Sequence, residues 1–469
     1  MNFKIHKKIF AILLSLSIAF TACDAWIDTD INTNPDAPSD VPLAMLLPSI
    51  QANMAYNLGG NDIVLPTNAW MQYINGYSRQ MLIIGNYQFV PSDVNNVWNS
   101  NYYVTMMDCK VLIDKALAEK AYHFAGVGQI CLAYNLAVST DLFGDIPYSE
   151  AFQGSENLTP KVDSQESIYT EINSLLDQAI SNLQNSGNTL KLSGDMIHGS
   201  NAAAWIKTAY ALKARYALVL SKRKADAYSK ALSYLANAYT SGSDNMAFTF
   251  GTSPSELHPI TQFCEQRGDV VMGKYFIDLL MSNNDPRLSK FAAKNDAGTY
   301  AGSPAGSETY NGISGLGTYV NNSSAATKTY FMTYAELKFI EAEAKFSSNK
   351  TDALAAYIEG VRASLIQVLG SITGSTTWLA NNIENETTSS LTLEKIMTQK
   401  YIANYAQMQA YNDWRRTGYP KGLEKPVSAT KDLPLRFPYA QEEISYNANV
   451  AALWQKTVFL NTPVWWDAD

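Results

Sequence analysis

Apolar residues recur along most of this chain at steps of three and four, the period of a helix buried on one side. Val94, Trp98, Tyr102, Thr105, Cys109, Leu112 and Ala116 form one such stripe, with Ser92 placed to cap its start. Val127, Cys131, Tyr134, Val138 and Leu142 form a second, closed by Gly144 and Pro147. Asp163 and Glu166 have the spacing of a capping box ahead of Ile168, Ile172, Leu175, Ala179 and Leu183. Residues 201–240 predict a helical hairpin, with Trp205, Ala209, Leu212, Tyr216 and Val219 on one arm and Tyr228, Ala231, Leu235 and Ala238 on the other. Thr333 and Glu336 cap a helix bearing Tyr334, Leu337, Ile340 and Ala344. Thr351 opens another with Leu354, Ile358, Val361, Leu365 and Val368, and a further helix is expected over 392–411. Paired helices with Ala at their contacts predict an all-α, mainly helical fold of tetratricopeptide-like packing. No clean repeat of about 34 residues accompanies them, so the pattern fixes no repeat register.

Residues 241–330 break the pattern. Asn295–Thr327 holds six glycines among Ser, Asn, Thr and Tyr, with few charges. A stretch of this length inside a compact domain is expected to be functional, and its tyrosines argue for order over a solvated linker.

The N-terminus is of another kind. Lys4, Lys7 and Lys8 precede the apolar run Ile9–Phe20, and Thr21-Ala22-Cys23 follows at once. This is the layout of a secretory signal over residues 1–22. The run is too short to cross a hydrocarbon layer of roughly 30 Å as a mature helix. Phe20-Thr21-Ala22-Cys23 resembles a bacterial lipobox, with Phe20 in place of the usual leucine, so Cys23 is the expected lipidation site. Residues 23–40 then read as the lipidated cysteine and a flexible acidic tether, and 41–469 as a single α-helical domain.

The formal net charge is −8, and no dense Lys/Arg run exists, which argues against a nucleic-acid partner. His6, His123, His198 and His258 are scattered, and HExxH, CxxC, GxSxG, GxxxxGK[ST] and GxGxxG are all absent. Neither a cofactor nor a metal is therefore expected. Asp28, Asp30, Asn32 and Asn34 open like a calcium loop, but Thr33 stands where glycine is required and Ser39 where the closing Glu belongs. Beyond Cys23, the three remaining cysteines cannot form a closed disulfide framework. Asp141 with Asp145, and Glu341 with Glu343, are the visible carboxylate pairs. The first reads as turn-binding, and the second cannot share a helical face. No enzyme is expected; a cryptic glycoside hydrolase would need two such acids brought together.

Aromatic residues are plentiful: 28 Tyr, 17 Phe and 9 Trp. Rings with an apolar face and a polar edge suit a binding surface, and a sugar presents the complementary mixture. Trp70, Tyr73 and Tyr77 lie at i, i+3 and i+7, so on a helix they share a face, with Gln72, Asn75 and Arg79 alongside. The same spacing fits an ordinary core stripe. The second candidate is Ser255–Asp269, where His258, Gln262, Phe263, Arg267 and Asp269 follow no helical period. It reads equally as a binding loop or a structural Ω-loop.

Several segments together resemble one family. Ile31–Pro38 (INTNPDAP) is followed by Leu46–Ser49 (LLPS), Asp141–Ala151 (DLFGDIPYSEA), Asp285-Pro286-Arg287, Tyr401–Pro420 (YIANYAQMQAYNDWRRTGYP) and Arg436–Tyr439 (RFPY) with Glu442, Asn447 and Asn449. This ordered set resembles the SusD/RagB-like outer-membrane lipoproteins of Bacteroidota. The resemblance implies a tetratricopeptide-like helical superstructure with a loop-rich variable part, here about 241–330. It implies a lipid-anchored protein of the outer membrane, exposed at the cell surface, that binds glycans and delivers them to a SusC-like TonB-dependent transporter. The alternative is the same scaffold binding peptide or protein nutrients. The resemblance carries over no ligand contact, and Arg415 and Arg416 of its signature are read as structural, pairing with buried acids or carbonyls.

Overall fold

Helix pairs build the body of the molecule. The computed structural model describes residues 41–455 and 458–468. The signal segment, Cys23 and the tether lie outside the described residues. Leu43–Asp469 packs as one unit. Helix Met107–Ala118 packs on Tyr122–Phe143, which packs on Gln165–Leu183; Ala202–Val219 pairs with Ala227–Leu235, and Tyr334–Lys345 with Lys350–Leu369. Among the described residues no helix is long and apolar enough to cross a membrane.

Helix Tyr122–Phe143 is buried nearly all round, which explains why its neighbours must come close on two sides. Gly126 and Gly128 permit this. A Cβ on Gly126 would lie 2.7 Å from Leu183 Cγ, and one on Gly128 would lie 3.0 Å from Ile113 Cγ1. The predicted stripe from Val94 to Ala116 is buried throughout. Its helix is composite: a 3₁₀ turn Pro91–Val94, α-helical Asn95–Asn99, π-helical Ser100–Met106 and α-helical Met107–Ala118.

Several caps differ from expectation by a residue or two. Ser164, not Asp163, caps Gln165–Leu183, because the Asp163 carboxylate already accepts the N–H groups of Tyr148 (3.0 Å) and Ser149 (2.7 Å). Asn349, not Thr351, caps Lys350–Leu369 and accepts from Asp352 N at 3.1 Å. Ser92 sits inside the 3₁₀ turn, and the Asp93 carboxylate accepts the Val90 N–H at 3.0 Å instead. Thr333 caps its helix as its spacing predicts, with Glu336 N donating at 3.1 Å.

Charged groups inside the body are held by ion pairs or by hydrogen bonds. Arg215 meets Glu336 with Nε–Oε1 at 2.7 Å, joining Ala202–Val219 to Tyr334–Lys345. Arg287 holds Asp285 through two bonds of 2.9 and 2.6 Å and reaches Ser364 and Gln399, with both ion-pair members fully buried. Arg416 is pinned between Glu343 and Asp413, and Arg415 donates to the carbonyls of Asp141 (2.7 Å) and Leu435 (2.9 Å). The signature arginines are therefore structural, one paired with buried acids and the other with carbonyls, as expected from the sequence.

The loop-rich part contains more regular structure than its composition predicts. Among the described residues three short antiparallel strand pairs occur, Ile74–Gly76 with Val270–Met272, Ile146–Pro147 with Val162–Asp163, and Met246–Thr249 with Lys328–Met332. Two of the three use residues from 241–330, and the first brings the two candidate segments side by side.

Candidate functional site

Tyr77, Arg79, Arg267 and Asp269 meet although they lie almost 200 residues apart in sequence. The register Asn75↔Val271 and Gly76↔Val270 sets the approach, and Tyr77 N donates to Asp269 O at 3.0 Å. Gly268 makes the turn. Its φ of +62° ends helix Pro259–Gln266 and redirects the chain into the strand, a conformation that favours glycine. The Tyr77 hydroxyl donates to the Gly268 carbonyl, so ring and turn are joined.

Asp269 organises the edge of this surface. Its side chain is 1% exposed, while those of Arg79 and Arg267 are 57% and 41% exposed. Oδ1 accepts from Arg79 Nε at 2.7 Å and from Ser78 Oγ at 3.0 Å; Oδ2 accepts from Arg267 Nε at 3.2 Å. Arg79 Nη2 also donates to the Arg267 carbonyl at 2.5 Å. The Arg267 guanidinium lies 5.6 Å from the centre of the buried Phe263 ring. Arg79 has φ of +49°, costly for a residue with a Cβ, and its triple engagement holds it there.

Above this edge Tyr77 and Tyr310 stack, with ring centroids 4.6 Å apart and planes 20° from parallel. Tyr310 is 49% exposed and Tyr77 half-buried, so the pair forms an open aromatic shelf. Burial, with the Asp269 charge second, raises the Tyr77 phenol above its usual range and keeps it a neutral donor. Tyr310 belongs to the glycine-rich loop, and spacing does not single it out; the tyrosine content of that loop is the only sequence signal for it.

The remaining candidates support this surface from behind. Trp70 and Tyr73 are completely buried, which corrects the expectation of one displayed helical face. The helix stops at Trp70, Gln72 adopts φ of +57°, and Ile74–Gly76 is a strand, so the i, i+3, i+7 spacing has no helix to act on. Trp70 donates its indole N–H to Ile84 O at 3.0 Å, and Tyr73 stacks on Tyr401 at 4.1 Å. Asn75 is buried and pins the glycine-rich loop: its amide donates to Ser303 Oγ (2.9 Å) and Ser307 O (2.7 Å), and accepts from Gly306 N (2.8 Å). Asn75 thereby sets the height of Tyr310.

His258 is a buried helix cap. Its Nδ1 accepts from Ile260 N at 3.2 Å, so the proton sits on Nε2 and is donated to Thr329 Oγ1 at 3.2 Å. Burial pushes its pKa down to about 3. Pro259–Gln266 is helical, against the expectation of a stretch without helical period. Both ends of the Gln262 amide are engaged, by Tyr56 Oη (3.2 Å) and Leu257 O (3.0 Å). Phe263 is buried beneath Arg267.

The visible carboxylate pairs hold the fold. Asp141 accepts from Tyr169 Oη (2.5 Å), Asn412 Nδ2 (2.7 Å) and Trp466 Nε1 (2.9 Å), and burial raises its pKa to about 6. Asp145 accepts the Gln165 N–H at 2.8 Å. Glu343 is paired with Arg416, and Glu341 with Lys338 and Lys345.

The family described as "Starch-binding associating with outer membrane", the second SusD-like group, matches residues 35–440. Among solved structures the chain is similar to a SusD/RagB family protein of Bacteroides thetaiotaomicron, at 26% identity over 92% of this chain and 99% of that one, with a TM-score of 0.77. It is similar in fold to a chitin-binding SusD homologue of Flavobacterium johnsoniae, at 23% identity over 91% and 99% of the two chains, with a TM-score of 0.77. A SusD homologue of Bacteroides fragilis has 21% identity over 92% and 100%, with a TM-score of 0.76. No curated protein matches the chain. On the family match across most of its length, and on a helical architecture shared with these structures, this chain belongs to the SusD-like family.

Proposed function

We propose that this protein is a lipid-anchored, surface-exposed glycan-binding protein of the outer membrane that hands oligosaccharide intact to a SusC-like TonB-dependent transporter. The observation that carries the reading is the half-exposed Tyr77–Tyr310 stack beside two oriented guanidinium groups. A sugar ring lies on the tyrosine face through its C–H bonds, and its oxygens take hydrogen bonds from the arginines. The chitin-binding relative in F. johnsoniae is consistent with carbohydrate as the class of ligand. Lipidation at Cys23 keeps the shelf beside the transporter, where a high local ligand concentration lets modest affinity suffice. The carboxylate pairs serve structure, in keeping with capture without catalysis.

Peptide capture is the competing reading, and one observation favours it. Tyr103, Met107, Phe152 and Leu158 line an apolar groove of about 240 Å³ away from the shelf, with Leu158 75% exposed. An array of glycans and peptides, probed with the chain beginning after Cys23, separates the two. Glycan binding weakened by Tyr310→Ala supports the proposal; peptide binding indifferent to Tyr310 replaces it. Cys23→Ala is expected to leave membranes in a pelleting assay, and continued pelleting without the transporter removes the anchor.

A further inference from the structure

Two guanidinium groups share one carboxylate at the shelf, leaving one positive charge uncompensated in a chain whose net charge is −8. We propose that the shelf selects acidic carbohydrate, oligosaccharides bearing a uronate carboxylate or a sulfate ester, a specificity that rests on the glycan reading of this same surface.

Free donors decide the point. The Asn75 and Gln262 amides are fully used inside the protein, and the Gln80 amide donates to Asp93 at 3.1 Å. Among the described residues, no hydrogen bond engages Arg79 Nη1 or either Nη of Arg267. Besides the neutral Tyr310 hydroxyl, the donors left at the shelf are guanidinium N–H groups, charged and, on Arg267, forked. That geometry matches the paired oxygens of a carboxylate or sulfate.

The second argument concerns order. An exposed arginine loses considerable rotamer freedom when it grips a ligand. Here the buried Asp269 has already fixed both side chains through Nε, and Phe263 supports the Arg267 plane. Their outer edges are thus held ready for an anion before it arrives. Glu265 and Glu308 are exposed acids on the same two segments, and neither forms an ion pair with either arginine. A neutral sugar accepts single hydrogen bonds from such a pair, whereas an anionic one adds charge pairing and bidentate contact.

Calorimetry on the mature chain with three probes tests this: an oligogalacturonate, its carboxyl-reduced neutral counterpart, and a sulfated galactan oligosaccharide. Tighter binding of either acidic probe than of the neutral one, by roughly tenfold or more and shrinking with added salt, supports the proposal. Preference for the first or third probe identifies carboxylate or sulfate as the group recognised. Arg267→Gln is expected to erase the preference while thermal melting stays unchanged. Neutral binding equal to acidic, yet weakened by Tyr310→Ala, overturns acid selection and leaves glycan capture standing. An acidic preference that survives Arg79→Gln combined with Arg267→Gln also overturns it. No binding of any probe overturns it together with the glycan reading of the shelf.

Discussion

Arginine does opposite work in two regions of this molecule. In the helical body Arg287 and Arg416 are buried, each locked to an acid that is buried as well. At the shelf Arg79 and Arg267 are exposed, and only their shared partner Asp269 is buried. A buried pair has already exchanged water for protein on both sides, so it has nothing left to offer a ligand. A buried acid beneath exposed guanidinium groups fixes direction while leaving donors free. Exposure of the cation, rather than the presence of an ion pair, separates scaffold from binding surface.

The contrast is broken most forcefully in the body. Arg416→Ala leaves Glu343 buried without its partner, and Asp413 with Lys400 alone, and is expected to cost about 3–5 kcal/mol of stability. Urea denaturation measures it, and a loss below about 1 kcal/mol would show that the pair is not truly desolvated. Acid gives the next effect. Folded His258 stays neutral down to a pKa of about 3, against an ordinary value of 6.5, so its contribution is complete above pH 6.5 and is lost as pH falls towards 3. At pH 5 that loss amounts to about 2 kcal/mol. His258→Gln should therefore flatten the fall in urea midpoint between pH 7 and pH 5, with His198, pushed by burial to about 4, supplying the residual slope. At the shelf the effect moves from stability to affinity. Tyr310→Ala removes an exposed ring and should weaken glycan binding by about 1 kcal/mol, near fivefold. The melting temperature should hold, and a large drop in it would make Tyr310 part of the scaffold instead.

The same contrast explains what could be read from residues alone. Helix stripes were legible because burial imposes a period, as from Val94 to Ala116. The Tyr77 side of the shelf and its arginine edge were legible as local compositions around Tyr77 and Arg267. Their meeting was not, since it depends on a three-residue strand pair, Ile74–Gly76 with Val270–Met272, too short to leave a pattern. Trp70 and Tyr73 misled because spacing specifies a shared face only where the helix continues. Tyr310 was hidden because its position follows from hydrogen bonds made by Asn75, more than 200 residues earlier in the chain.

The loop that carries Tyr310 is clamped at its base. Gly306 is wedged so tightly that a Cβ there would lie 2.4 Å from Asn86 Oδ1 and 2.6 Å from Pro426 Cβ, whereas a Cβ on Gly312, just beyond the tyrosine, would touch nothing within 4 Å. The foot of the loop admits almost no change, and at the crest space is open but the φ of +74° at Gly312 still favours glycine. Such a fitting can be recut at the crest for a different ligand without disturbing the frame, which makes residues 308–311, ahead of that glycine, the natural place to graft new specificity.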